Sequence, residues 1–375
     1  MRHRLTTWSA PAVVALIVVV SHWSLVWHHA VPDFDTDTLI GYTTIGVCSQ
    51  PWIVKGMGDS AHPLGNAFLT RWACLFEGNE TVTPSMAWYA LICAAVLVTV
   101  ALLVLLARAA GGGLVAAVVA LGYLGTSPVL RTLSSRAEEN WIGMALFVVV
   151  TMVVMAAHTS PPDRRARWLL AVGGSTLVLA VWHSQYVLVL AFGLAPWGLL
   201  AFVRPSWVGT TSRQVLELAT AMALPAVAAI GLLFGSGYAT RVPYHRMFFS
   251  VFNPDAFHGI GTWSLDYVAY SGRWLTGWAG NDGMEEKLFA APEGVAHLVL
   301  GAFALLVFVV LVVTTRNTVL MAAAFGALLL TFLFEPHNAE RWDPVVAVTL
   351  MALAHGAYLR PSEAVTTPTE KILVS

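Results

Sequence analysis

Three carboxylates at two-residue spacing stand in the stretch Pro32-Asp33-Phe34-Asp35-Thr36-Asp37-Thr38. Acids so arranged can act as a general base, hold a divalent cation through hard oxygen ligands, or orient a sugar by hydrogen bonds. The plain alternative is a solvated loop whose acids simply stay out of lipid. Farther on, His62 precedes a proline that restrains its backbone, in Ala61-His62-Pro63-Leu64-Gly65. It could contact a phosphate or an acceptor, although a lone histidine is more often structural. A third group, Arg131-Thr132-Leu133-Ser134-Ser135-Arg136-Ala137-Glu138-Glu139-Asn140, packs charges into ten mostly polar residues between two apolar runs. Arg136 and Glu139 could pair at i, i+3 on a short interfacial helix, a contact usually worth less than about 1 kcal/mol. The fourth is Glu335-Pro336-His337-Asn338-Ala339-Glu340-Arg341-Trp342-Asp343-Pro344. The planar donors of Arg341 suit two phosphate oxygens at once, and ion pairing with Glu340 or Asp343 is the structural alternative.

The elements that must carry these groups follow from composition. Of the 375 residues 57% are hydrophobic and 11% charged, and mean hydropathy is +0.71. A soluble domain carries about one quarter charged residues, so this balance predicts an integral membrane protein. The formal net charge of −1 offers no basic field for a nucleic-acid backbone, and nucleic acid is not an expected partner.

Apolar runs long enough to cross the roughly 30 Å of hydrocarbon number about ten. They lie near 10–28, 85–107, 112–130, 141–158, 168–183, 186–203, 215–235, 294–314, 317–334 and 343–359. The fifth and sixth are separated only by His183-Ser184-Gln185-Tyr186. Arg2 and Arg4 precede the first run, which continues through Trp23 and Trp27 with no small-residue cleavage site, so it reads as an uncleaved anchor with an inward N-terminus. Alternation from there puts Arg108, then Arg164, Arg165 and Arg167, then Arg204 and Arg213, then Arg316 and Arg360 at inner turns, as positive-inside bias requires. The expected fold is therefore all-α and polytopic, one transmembrane domain over 1–360, with large extracytoplasmic loops at 29–84 and 236–293. Residues 361–375 form a polar tail expected to be disordered and cytoplasmic.

The second large loop holds Arg241, Tyr244, His245, Arg246, His258, Asp266, Arg273, Asp282, Glu285 and Glu286 among many aromatics. Such mixtures suit sugar faces, and interfacial anchoring is the default. Inward of the span ends the ionisable residues are few, with His22, Glu217, His297 and His355 the visible ones, which weighs against a proton-driven carrier. Of the three cysteines, Cys93 lies in an apolar run, while Cys48 and Cys74 share one outer loop where a disulfide can form. Asn79-Glu80-Thr81 fits a glycosylation sequon, a triplet that arises often by chance.

Order and common side together make the chain resemble the GT-C superfamily of membrane glycosyltransferases, which use polyprenyl-phosphate-linked sugars on the outer or lumenal face. The likeness is architectural and covers nearly the whole chain. Asp35 and Asp37 match the placement of the family's acidic motif in the first outer loop. His62-Pro63-Leu64 resembles its basic residue before Pro-Pro-Leu, with one proline fewer. The cap at 131–140 resembles its interfacial helix, and Glu340-Arg341-Trp342 resembles an acidic-basic-aromatic motif before a late helix.

The resemblance implies sugar transfer from an isoprenoid phosphate donor to a lipid, glycan or protein acceptor, with inversion at the anomeric carbon. Asp35 or Asp37 would be the base, Arg341 with Arg136 or His62 would hold the donor phosphate, and Asp33, Glu138, Glu139, His337 and Glu340 would support them. No cofactor is required, and a divalent cation could sit on Asp35 and Asp37. Arginine-heavy usage with three lysines, and abundant Ala, Val and Gly, suggest a GC-rich bacterial genome and a plasma-membrane location. The competing expectations are a lipid or small-solute transporter, whose outer charges would line a gate, and a noncatalytic scaffold whose loops bind a partner.

Overall fold

In a computed structural model, the described residues are 65–109 and 140–236, apart from Glu80, Thr83 and Gly209. Among them the chain forms helices joined by turns, and no strand occurs. The helices are α1 (Gly65–Cys74), α2 (Pro84–Ala109), α3 (Asn140–Thr159), α4 (Pro162–Trp182), α5 (Ser184–Val203), α6 (Pro205–Val208) and α7 (Ser212–Gly235).

Periodicity explains which faces pack. On α3 the buried residues include Trp141, Met144, Ala145 and Val148 along one stripe and Phe147, Val150, Val154 and Ala157 along the next, each at three-and-four spacing. On α2 Trp88, Ile92, Ala95, Val96 and Thr99 repeat that pattern, and on α7 Val215, Leu218, Met222, Ala226 and Ala229 do so. These faces meet in sequence: α1 packs on α2, α2 on α3, α3 on α4, and α4 on α7, while α5 lies against α3, α4 and α7. The α2–α3 contact includes a polar stitch, because the Thr99 hydroxyl donates to the Ala95 carbonyl at 2.7 Å and stands 3.3 Å from the Trp141 carbonyl.

Among the described residues two helices, over Trp141–His158 and Ser212–Leu233, are long and apolar enough to cross a membrane; Met86–Thr99 is a shorter apolar stretch. On α7 the face turned away from the bundle is apolar as well, since Leu216, Leu224, Val227 and Leu232 are all exposed. A helix apolar on every side is a poor match for a water-facing surface.

Of the six runs expected between residues 85 and 235, five are helical, and the run near 112–130 lies outside the described residues. The fifth begins at Pro162, not near 168, so Arg164, Arg165 and Arg167 lie in the first turns of α4 and not in a turn between helices. Proline at the first helical position and Asp163 in the first turn favour that early start. Likewise Arg213 lies within α7. The linker between the fifth and sixth runs shrinks to His183 alone, whose N–H donates to the Leu179 carbonyl at 2.7 Å and whose carbonyl accepts from Tyr186 N–H at 3.2 Å. α1 is a helix within residues 29–84, the segment expected to form the first long outer loop, and the Trp72 indole N–H pins it to α2 by donating to the Ala87 carbonyl at 2.8 Å.

The turn after α1 places Gly78 at φ 75°, a left-handed conformation that glycine adopts without steric cost. Asn79 then accepts the N–H groups of Thr81 and Val82 on its side-chain oxygen at 2.9 and 3.0 Å, closing a local turn. Cys74 is disulfide-bonded and Cys93 is a free, buried thiol; Cys48, the expected partner of Cys74, lies outside the described residues. The expected runs near 10–28, 112–130, 294–314, 317–334 and 343–359, the second large loop and the 361–375 tail also lie outside them.

Candidate functional site

Every residue singled out for chemistry lies outside the described residues: Asp33, Asp35, Asp37 and His62 before α1, Arg136, Glu138 and Glu139 between α2 and α3, and His337, Glu340 and Arg341 beyond α7. What the structure describes is the framework that follows two of these segments. α1 starts three residues after His62, and α3 starts one residue after Glu139.

Those two helix starts approach one corner of the bundle, built on His183 between α4 and α5. His183 and Tyr186 are both fully buried, with their rings 4.1 Å apart. Tyr186 also packs on Phe147 of α3 at 5.9 Å, and its ring edge fills the space beside Gly143, one turn from the start of α3. Immediately before His183, Trp182 meets Phe68 of α1 edge-on, with centroids 5.1 Å apart. One turn past Phe68, Arg71 is 4% exposed. An arginine so placed needs compensation from its surroundings, because desolvating a guanidinium is costly. Sequence reasoning passed over Arg71; its signal was a lone cation within the otherwise uncharged helix Gly65–Cys74.

The opposite end of the bundle, where α3 and α5 finish and α4 and α7 begin, is built from charge. Glu217 accepts a hydrogen bond from Arg213 Nε at 2.9 Å and stands 3.0 Å from Arg165 Nε. The second contact is a charge contact only, since the Arg165 Nε–H is not aligned on the oxygen. Asp163 and Arg164 form a looser, exposed pair at 3.8 Å. His158 Nδ1 lies 3.4 Å from the Thr210 hydroxyl, tying the end of α3 to the segment before α7. Glu217 was expected among the few ionisable residues inside the spans. Held between two guanidiniums, it is suited to joining α4 to α7 and poorly suited to taking a proton from a substrate.

Among the described residues no group of three or more His, Cys, Asp or Glu could hold a metal ion. The candidate cation ligands Asp35 and Asp37 lie outside them. Compared with known proteins, the chain matches no family model, no curated protein and no solved structure.

Proposed function

We propose that the chain is a multi-pass membrane glycosyltransferase that moves a sugar from a polyprenyl-phosphate donor to an acceptor on the extracytoplasmic side. The observation that carries this reading is the order of four polar segments along a largely apolar chain: Asp33-Phe34-Asp35-Thr36-Asp37, His62-Pro63-Leu64, the cap from Arg131 to Asn140, and Glu340-Arg341-Trp342. Two structural features support it. The apolar helices α3 and α7 meet the length and composition needed to cross a bilayer. The helices that follow the second and third polar segments in sequence, α1 and α3, converge on the His183 corner through Phe68–Trp182 and Gly143–Tyr186.

In this mechanism Asp35 or Asp37 takes the proton from an acceptor hydroxyl as its oxygen attacks the anomeric carbon. The bond from that carbon to the phosphate oxygen breaks, its electron pair leaves with the lipid phosphate, and configuration inverts. Arg341, with Arg136 or His62, offsets the charge that grows on the departing phosphate. Asp33, Glu138, Glu139, His337 and Glu340 orient these groups or the sugar, and a divalent cation on Asp35 and Asp37 is compatible with the same step. Both termini are cytoplasmic in this arrangement.

Reconstituting the full chain with labelled polyprenyl-phosphate sugars and membrane extract as acceptor source tests the reading, with release of free lipid phosphate followed by mass spectrometry. Wild-type release that disappears in Asp37→Asn and Asp35→Asn variants is the expected result. No donor consumption under any condition overturns it, and uptake by vesicles would then point to a transporter.

A further inference from the structure

Five arginines, Arg164, Arg165, Arg167, Arg204 and Arg213, gather at the end of the bundle opposite the His183 corner. Among the described residues they share it with two carboxylates, Asp163 and Glu217, which leaves a surplus of three positive charges there. The gathering is a property of the fold, because the Arg165–Glu217 contact joins α4 to α7, and Ser212 Oγ of α7 donates to the Ala201 carbonyl of α5 at 3.4 Å. Glu217 is already engaged by Arg165 and Arg213. Arg164 and Arg213 project outward, their side chains 71% and 87% exposed, and Arg167 is exposed as well.

Beside this charge lies exposed apolar surface on the same three helices: Trp168 and Leu170 on α4, Leu199, Phe202 and Val203 on α5, and Leu216 on α7. Large apolar side chains grouped next to a cationic rim do not suit a water-facing surface. They do suit the boundary of a bilayer, where hydrocarbon and phosphate lie within one helical turn of each other.

We propose that this end of the bundle binds an acidic phospholipid, its phosphate held by Arg164, Arg167 and Arg213 and its acyl chains lying on the collar around Leu170, Leu199, Phe202 and Leu216. Charge sign selects an anionic headgroup over a zwitterionic one. The collar selects a lipid over a free phosphate. The site rests on the membrane-spanning reading and is independent of glycosyl transfer.

Titrating the purified full-length chain in neutral detergent with phosphatidylglycerol, phosphatidylcholine of the same chains, or glycerol phosphate tests the site. The readouts are the unfolding midpoint and the lipid retained in native mass spectrometry. Phosphatidylglycerol alone should raise the midpoint and stay bound. Changing Arg164, Arg167 and Arg213 together to Gln should weaken that binding by about a hundredfold, at roughly fivefold per charge near a membrane surface. Changing the same three to Lys should keep most of it. Equal retention of phosphatidylcholine, equal stabilisation by glycerol phosphate, or undiminished binding by the Gln variant overturns the proposal. Should the triple variant fail to fold, Arg167→Gln alone carries the test with the same outcomes, at about fivefold.

Discussion

Tyr186 occupies the space that a side chain at Gly143 would need: a Cβ placed there would stand 2.7 Å from Tyr186 Cε2 and 3.3 Å from His183 Cβ. Because Tyr186 is fully buried and also packed on His183 and Phe147, its ring has little room to retreat. The corner between α4 and α5 therefore depends on a missing methyl group on α3.

Gly143→Ala should destabilise the protein. Helix propensity alone favours alanine by about 0.5–1 kcal/mol, but overpacking a filled core costs about 1–3 kcal/mol, and with so little room the second effect wins. Thermal unfolding in detergent should show a lowered midpoint. Adding Tyr186→Ala removes the obstructing ring, so the double variant should lose less than the two single losses combined. Strict additivity would mean that the two positions do not press on each other.

The three-residue charge cluster should respond unequally to neutralisation. Glu217→Gln leaves Arg165, whose side chain is 13% exposed, without its counter-charge, and should cost about 2 kcal/mol. Arg213→Gln removes an exposed i, i+4 partner and should cost about 0.5 kcal/mol or less. Unfolding midpoints of the two variants, measured at low and high salt, check this ranking. A larger loss in Arg213→Gln would contradict it.

Gly173 lies where α4 packs tightly on α7. A Cβ there would lie 3.3 Å from the Ala221 carbonyl oxygen and 3.4 Å from Pro225 Cγ. Pro225 lies inside α7 and brings no N–H to bond that carbonyl four residues earlier. Gly173→Ala should be tolerated with a small loss, whereas Gly173→Leu must push the helices apart and should cost about 1–3 kcal/mol. Comparable stability of the two variants would show that the contact is loose.

On the proposed catalytic face, Arg341→Lys should slow turnover more than it weakens membrane insertion. Lysine keeps the charge but replaces two fixed, parallel donors with a single point charge. Initial rates across donor concentrations, compared with expression of the folded chain, provide the check. An unchanged rate and donor affinity would reassign Arg341 to a structural pair with Glu340 or Asp343.

Hydropathy alone was enough to locate α2, α3, α5, α7 and the end of α4 to within a few residues, because a long apolar run in a chain with so few charges has almost no other stable form. It misjudged the start of α4, since a window that averages hydropathy stops at Arg164, Arg165 and Arg167, whereas a helix begins wherever its first turn is favoured, here at Pro162. It passed over α1, whose ten residues are too few to register as a span. Of the candidate chemistry, residue types and order were readable, while the partners of Asp35, Asp37, Arg136 and Arg341 were not, and those residues stand outside the described structure. The positions of Arg71, Gly143, His183 and Tyr186 relative to one another emerged only from packing. Composition and periodicity determine which stretches become helices and which face of each is apolar, because those are local properties of the chain. Which faces meet, and so which glycine must stay bare and which charges share an end, depends on contacts between residues far apart in sequence, which only the folded arrangement settles.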